Sequence, residues 1–171
     1  MKFVATSITI FYDGKEDRLS LVFTDSDEKI LKGLVTRRLF KGILTRLPDW
    51  LAQEHANPHD RTKEQQRTIE RFNHQISQKN VPIEYGNSKP DSKIESFLVR
   101  AINFSMLNTS EGKKIRLIFQ SADKANEIIL ALTSGQLHKL IAEILKLARD
   151  WDMNNPWDGS NIVFTNDGIK H

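Results

Sequence analysis

The chain contains no cysteine, which excludes disulfide bonds and thiolate metal sites and is compatible with a reducing compartment. It has no apolar run near the roughly 20 residues that a membrane-spanning helix requires. The N-terminal segment, residues 1–14, alternates apolar residues with Thr and Ser, so it predicts a strand and not a signal peptide. We therefore expect a soluble, cytoplasmic protein without a membrane partner.

Recognisable catalytic motifs are missing as well. The sequence has no Gly-x-Ser-x-Gly elbow, no Gly-x-x-x-x-Gly-Lys-Ser/Thr loop and no Gly-x-Gly-x-x-Gly. Paired carboxylates such as Asp13 with Asp17 fall at expected turns, where Asp is favoured because its side chain bonds the local backbone. We therefore expect a protein that is not an enzyme, with no catalytic residue and no cofactor.

The histidines offer little metal chemistry. His55 and His59 have the spacing of a zinc pair on a helix, but Pro58 between them should prevent a continuous helix. His74 and His138 are expected on the polar faces of helices, as surface residues. The sequence therefore predicts no metal site.

Charge gives a mild indication of the partner. The chain has 171 residues, a net charge of +3 and a pI of about 9.1, which favours anionic partners. Counting Lys, Arg, Asp and Glu gives +2 for residues 1–50, zero for 51–92, +3 for 93–150 and −2 for 151–171. The excess positive charge therefore lies in two segments, and these two segments resemble each other.

The resemblance is plain in RLSLVF, residues 18–23, and KIRLIF, residues 114–119. At an offset of 96 the first hairpin, residues 8–23, aligns with the second, and at an offset of 98 residues 30–47 align with a later strand and helix. The matching order and spacing favour an internal repeat over two unrelated units with similar patterns.

Each copy is predicted to form three strands and a helix. Apolar residues alternate with polar ones from Ile8 to Tyr12, as in a half-buried strand, and Asp13-Gly14 suits a tight hairpin turn. The fold class is therefore α+β, with two βββα repeats (an antiparallel meander plus a helix) joined by a helical linker and packed with pseudo-twofold symmetry. The predicted units are the first repeat (1–51), a linker with a polar helix (52–92), the second repeat (93–151) and a C-terminal turn with an edge strand (152–171).

Helical periodicity is strongest in the second repeat. An apolar stripe runs from Leu137 to Trp151, and Thr133 with Gln136 fits a capping box at its start. In the first repeat, Pro48 should end or kink the helix, although the next few residues could continue it.

The linker helix is predicted to start at Asp60 or Thr62 and to end near Lys79. It is polar, with a thin apolar stripe of Ile69, Phe72 and Ile76. We expect this stripe to lie lightly on the sheets; the alternative is that it docks a partner helix.

Basic residues at the start of the first helix form the candidate site. Arg37 and Arg38 stand where the helix dipole disfavours positive charge, and they share an arc with Lys41 and Thr45. Positive side chains beside free N–H groups at a helix start can bind phosphate, whereas the alternative is a solvated helix face. A second, weaker basic patch is expected around the second hairpin, at Lys113, Lys114 and Arg116.

The hairpins of residues 8–23 and 104–119 and the helix of residues 137–151 resemble, in pattern, the PUR-repeat and Whirly-like single-strand nucleic-acid-binding proteins. The resemblance covers roughly two thirds of the chain. It implies bases stacked on aromatic side chains of an open sheet face, each contributing about 1–3 kcal/mol. This chain departs from the families in having a single aromatic, Phe11, on that face and one strand fewer per repeat.

We therefore expect a non-catalytic protein that binds single- or double-stranded nucleic acid. Its six basic candidates would contact phosphates in a sequence-tolerant and salt-sensitive way. The alternative is a small cytoplasmic regulatory adaptor, which would bind an acidic protein surface or another protein through the middle helix or a sheet edge. Exposed sheet edges could also pair between two copies of the chain and form a homodimer. An enzyme is the third functional hypothesis.

Overall fold

The structure, a computed structural model, describes residues 1–54, 62–80 and 91–158. The strands in these ranges are β1 (Lys2–Ala5), β2 (Ser7–Asp13), β3 (Arg18–Thr24), β4 (Ile30–Thr36), β5 (Ser96–Leu98), β6 (Ala101–Thr109), β7 (Gly112–Gln120) and β8 (Glu127–Leu132). The α-helices are α1 (Arg37–Glu54), α2 (Lys63–Asn80) and α3 (Ser134–Leu147). The protein is α+β, as predicted, and the order of three strands and a helix occurs twice. The predicted C-terminal strand lies outside the described residues.

The strands form two four-stranded sheets that exchange one strand each. The first sheet has the order β2-β3-β4-β5 and the second the order β1-β8-β7-β6. In both sheets three antiparallel strands come from one repeat, and the fourth strand, β5 or β1, comes from the other repeat and pairs in parallel. Sequence analysis predicted one strand in residues 1–14, where the structure has β1 and β2, and it missed β5, because the hydrogen-bonding partners of β1 and β5 lie in the other half of the chain. Each repeat therefore contains four strands.

The hydrogen-bond register corrects the offset between the first strands of the two meanders. Ile8 lies opposite Phe23, and Ile102 lies opposite Phe119, so the offset between β2 and β6 is 94 and not 96. A shift of two residues leaves every side chain on the same face of a strand, so the apolar pattern could not detect it.

The helices correspond at an offset of 97 and not 98. The side chains of Thr36 and Thr133 each accept a hydrogen bond from the backbone N–H three residues later, which aligns the two helix starts. The capping box predicted at Thr133 and Gln136 is confirmed. Both offsets superpose apolar residues because neighbouring positions of α1, such as Leu39 and Phe40, are both apolar.

One core lies between the inner faces of the two sheets and is closed by α1 and α3. Phe23 and Phe119 occupy equivalent positions of the two repeats, and their ring centroids are 5.0 Å apart in the centre of this core. Trp50, near the end of α1, contacts Phe104 of β6 at 4.7 Å between centroids. The pairing is reciprocal, because Trp151, after α3, contacts Tyr12 of β2 at 5.7 Å. These contacts support the predicted pseudo-twofold arrangement.

Pro48 does not end α1, which continues to Glu54. The turns beyond Pro48 bury Leu51 completely and hold Trp50 against the second repeat. Tertiary packing therefore offsets the backbone hydrogen bond that proline removes.

Helix α2 begins where expected, with Thr62 and Gln65 forming reciprocal capping hydrogen bonds. The prediction that its apolar stripe lies on the sheets is wrong, because α2 packs on α3 and α1. Phe72 and Ile76 of that stripe remain 61% and 40% exposed. No helix within the described ranges is long and apolar enough to cross a membrane.

The central ring contact can be tested by replacing Phe23 and Phe119 with Leu, singly and together. We expect each single replacement to lower the free energy of unfolding by about 1–2 kcal/mol, because both rings are buried. The double variant should lose about 0.5–1 kcal/mol less than the sum, because the ring–ring contact is lost only once. Urea unfolding measures these values, with the exposed Phe72→Leu as control; strict additivity would contradict the contact.

Candidate nucleic-acid interface

The two arginines that begin α1 point into different clefts. Arg37, with Lys41, lines a cleft of about 360 Å³. Arg38 lines another cleft, of about 280 Å³, together with Arg46. The side chains diverge because successive residues leave a helix about 100° apart. The single basic arc expected from the sequence is therefore divided between two sides of the helix.

The Arg37 cleft lies between α1 and the segment of residues 152–158 that follows α3. Its surroundings carry charge of both signs. Burial raises the pKa of Tyr12, the negative charges of Asp150 and Asp17 raise it further, and the positive charge of Arg37 opposes them. Arg37 therefore shares its neighbourhood with carboxylates, which weaken its attraction for an anion.

The second cleft, here called the arginine cleft, is lined by Arg38, Arg46 and Arg100. None of these three side chains forms an ion pair within the part of the chain that the structure describes. Arg46 is held in place, because its Nε donates to the carbonyl oxygen of Gly42 and its guanidinium lies 5.8 Å from the centroid of the Phe104 ring. Three unneutralised guanidinium groups therefore line one small cleft.

Strand exchange brings Arg100 to this cleft. Val99 donates its backbone N–H to Leu34 of the first sheet, and Arg100 donates its backbone N–H to Gln120 of the second. The chain therefore crosses between the sheets at these two residues, beside the start of α1. Arg46 could have been found from the sequence, since it lies two turns after Arg38 on the same helix face. Arg100 gave no such signal.

The second predicted patch lies elsewhere, on the β6–β7 hairpin. Lys113 is exposed, Lys114 pairs with Glu111 at 2.8 Å, and Arg116 donates to the hydroxyl of Ser105 at 3.2 Å. Arg100 is anchored opposite Gln120, and Lys114 lies six residues before Gln120 along β7, which corresponds to about 20 Å. The structure therefore does not bring the six predicted residues together in one patch.

The outer face of the first sheet adjoins the arginine cleft. Phe11, Ser20, Leu34 and Leu98 form one row across the four strands of the first sheet, on the face opposite the core. All four side chains are half-buried, and Leu98 also lines the arginine cleft. The row therefore extends from the three arginines to the single aromatic of this face.

No family model, curated protein or solved structure matches this chain. Within the described ranges, no group of three or more His, Asp or Glu side chains could hold a metal ion. The functional inference therefore depends on the geometry of the surface.

The prediction that His74 and His138 are surface residues is wrong. They are 4% and 0% exposed, and they lie between α2, α3 and the 152–158 segment. His74 Nδ1 is 3.1 Å from His138 Nδ1, and His138 Nε2 is 3.0 Å from Oε2 of Glu70. At the other end, Nδ2 of Asn155 is 2.9 Å from His74 Nε2. Sequence reasoning missed this cluster because neither helix pattern indicates that α2 covers His138.

The environment of His74 makes it a weak base. Burial, and to a smaller extent the neighbouring His138, lower the pKa of His74 to about 4, whereas Asp158 opposes the shift. The folded protein therefore favours neutral His74 at pH values where the unfolded chain, with a pKa near 6.5, already binds a proton.

We expect the stability of the protein to fall with acidification because of this residue. The contribution of neutral His74 is fully present above about pH 6.5 and is lost progressively down to about pH 4, up to about 2–3 kcal/mol. Urea unfolding across this range, compared between the wild type and His74→Gln, isolates the effect from carboxylate titration. A stability difference between the two proteins that does not change with pH would contradict the assignment.

Proposed function

We propose that this protein is a non-catalytic nucleic-acid-binding protein that contacts phosphates through the arginine cleft. The observation that carries the proposal is the convergence of Arg38, Arg46 and Arg100 without a carboxylate partner in the described residues. Guanidinium groups match the geometry of phosphate oxygens and bind them with charge-assisted hydrogen bonds. Arg37 and Lys41, on the other side of α1, would extend the contact more weakly.

Other arginines of the protein, unlike the three of the arginine cleft, form ion pairs with carboxylates. Arg18 pairs with Glu16, and Arg67 pairs with Asp49, both at 3.3 Å. Clustered like charges repel each other unless an anion neutralises them. The three arginines of the cleft have no such neutralising group in the described residues, which supports a role in binding an external anion.

The row of Phe11, Leu34 and Leu98 supports a polymeric ligand. It offers an apolar surface for bases next to a cleft that would hold the phosphates. Four strands per repeat also remove one of the two departures from the PUR-repeat and Whirly-like pattern, whereas the presence of a single aromatic remains. We propose binding in the cytoplasm with little sequence preference.

A pair of double variants tests the proposal. Arg38→Ala with Arg100→Ala should weaken binding at least tenfold and reduce the slope of log affinity against log salt by about 1.5, because two phosphate contacts are lost. The control, Arg18→Ala with Arg67→Ala, removes the same charge from ion-paired arginines and should change binding little. The measurement is fluorescence anisotropy of labelled single- and double-stranded oligonucleotides during a salt titration.

Two results would contradict the proposal. The first is that the wild type fails to bind either oligonucleotide at low salt. The second is that both double variants weaken binding equally, which would mean that net charge and not the arginine cleft determines the affinity.

The second candidate function is that of an adaptor for another protein, and the exposure of Phe72 and Ile76 favours it. These residues are one turn apart on α2, the spacing with which an amphipathic helix contacts a partner. We expect Phe72→Ser with Ile76→Ser to abolish recovery of a stoichiometric partner in a pull-down and to leave oligonucleotide binding unchanged. Recovery of the same partner by the double variant would exclude this surface.

A further inference from the structure

Helix α2 is attached to the protein by polar side chains. Among residues 63–76, the two buried residues are Glu70 and His74, one turn apart. Phe72 and Ile76 face away from the body of the protein. A surface helix ordinarily docks through an apolar stripe, so the attachment of α2 depends to an unusual degree on hydrogen bonds.

In each of these hydrogen bonds, the neighbouring contacts determine which atom is the donor and which is the acceptor. Oδ1 of Asn155 accepts the backbone N–H of Trp157 at 3.0 Å, which leaves the Nδ2 amide group to donate to His74 Nε2. His74 must then carry its proton on Nδ1 and donate to His138 Nδ1. His138 must carry its proton on Nε2 and donate to the carboxylate of Glu70. Each of these three contacts therefore pairs one donor with one acceptor while both rings are neutral.

One additional proton on either ring breaks this order. If the added proton binds Nε2 of His74, this N–H faces the amide N–H of Asn155. If it binds Nδ1 of His138, this N–H faces the N–H of His74. If Asn155 turns its amide over to accept the proton, it gives up the hydrogen bond from Trp157. In each case a link between α2, α3 and the 152–158 segment is lost.

We infer that Glu70, His138, His74 and Asn155 form a proton-controlled latch that holds α2 and the 152–158 segment on α3 while both rings are neutral and releases them on acidification. The inference is independent of the proposed nucleic-acid binding.

The charges around the latch compensate an added proton on His74, at the nitrogen that faces Asn155, only in part. On α3, Glu143 is already paired with Lys139 and Lys146, at 3.1 and 3.2 Å. On α2, Arg71 lies three residues before His74 and adds positive charge. On the 152–158 segment, Asp158 is near enough to His74 to oppose the lowering of its pKa only in part. Glu70 contacts His138, at the end of the hydrogen-bond series opposite Asn155.

Release would also alter the Arg37 cleft. Met153, Asn154 and Pro156 line that cleft, and they flank Asn155, the residue that closes the latch. Trp157, which stacks on His74 with ring centroids 5.0 Å apart, ties the far end of the same segment to the latch. Acidification should therefore loosen one wall of the Arg37 cleft and leave the arginine cleft unchanged.

The sharpest test replaces Asn155 with Asp. A carboxylate at this position can accept the backbone N–H of Trp157 and also an N–H from His74, so one added proton leaves every donor with an acceptor. We expect Asn155→Asp to keep the latch closed in acid. Asn154→Asp is the matched control, because it makes the same charge change at an exposed neighbour.

Hydrogen exchange measures the opening, with rates normalised to the intrinsic rate at each pH. In the wild type and in Asn154→Asp, protection of α2 and of residues 152–158 should fall together at least tenfold between about pH 6.5 and about pH 4.5, while β3 and β7 stay protected. In Asn155→Asp, the fall should move at least about one pH unit lower. Nitrogen chemical shifts of the wild-type rings at about pH 7 should place the proton of His74 on Nδ1 and that of His138 on Nε2.

Three results would overturn the inference. One is the opposite tautomer, or a charged ring, at neutral pH. Another is loss of protection in β3 and β7 together with α2, which is global unfolding and not release of a latch. The third is an identical acid response in Asn155→Asp and Asn154→Asp, because a merely structural role of Asn155 would not be reversed by a carboxylate.

Discussion

The reciprocal exchange of β1 and β5 is the constraint on which the rest of this structure depends. Each strand has only three or four residues and gains its hydrogen bonds from the sheet of the other repeat. Neither repeat can complete its own sheet, so the two repeats share a single core around Phe23 and Phe119. The exchange also fixes where the chain crosses between sheets, at Thr6 and at residues 99–100.

The crossing at residues 99–100 determines the charge of the surface beside α1. It adds Arg100 to the two arginines that α1 supplies from one of its faces. The other face of α1 presents Arg37 to a neighbourhood that contains aspartates. Arg37 and Arg38 are adjacent and both exposed, but the charges of the groups around them differ. The local sequence does not reveal this difference.

The buried pair His74 and His138 attaches the polar helix α2 to the rest of the protein. A helix whose buried residues are polar is stabilised on the protein when those residues are hydrogen-bonded, because an unpaired buried group is costly. The series of hydrogen bonds that runs from Asn155 through the two histidines to Glu70 meets this condition when both rings are neutral. The same arrangement makes the attachment sensitive to a single proton, because an added N–H on either ring faces another N–H donor of the cluster.

The sequence by itself determined the features that depend on near neighbours. The two meanders, the three helices and the cap at Thr133 follow from periodicity and short-range hydrogen bonds, and the structure confirms them. The offset between the repeats was misjudged, because a strand pattern with a period of two is unchanged by a shift of two residues. Only the tertiary structure decided the partners of β1 and β5, the convergence of Arg38 with Arg100 and the burial of His138. Each of these joins residues far apart in the chain, where pairing is decided by the packing of the shared core and leaves no local signal.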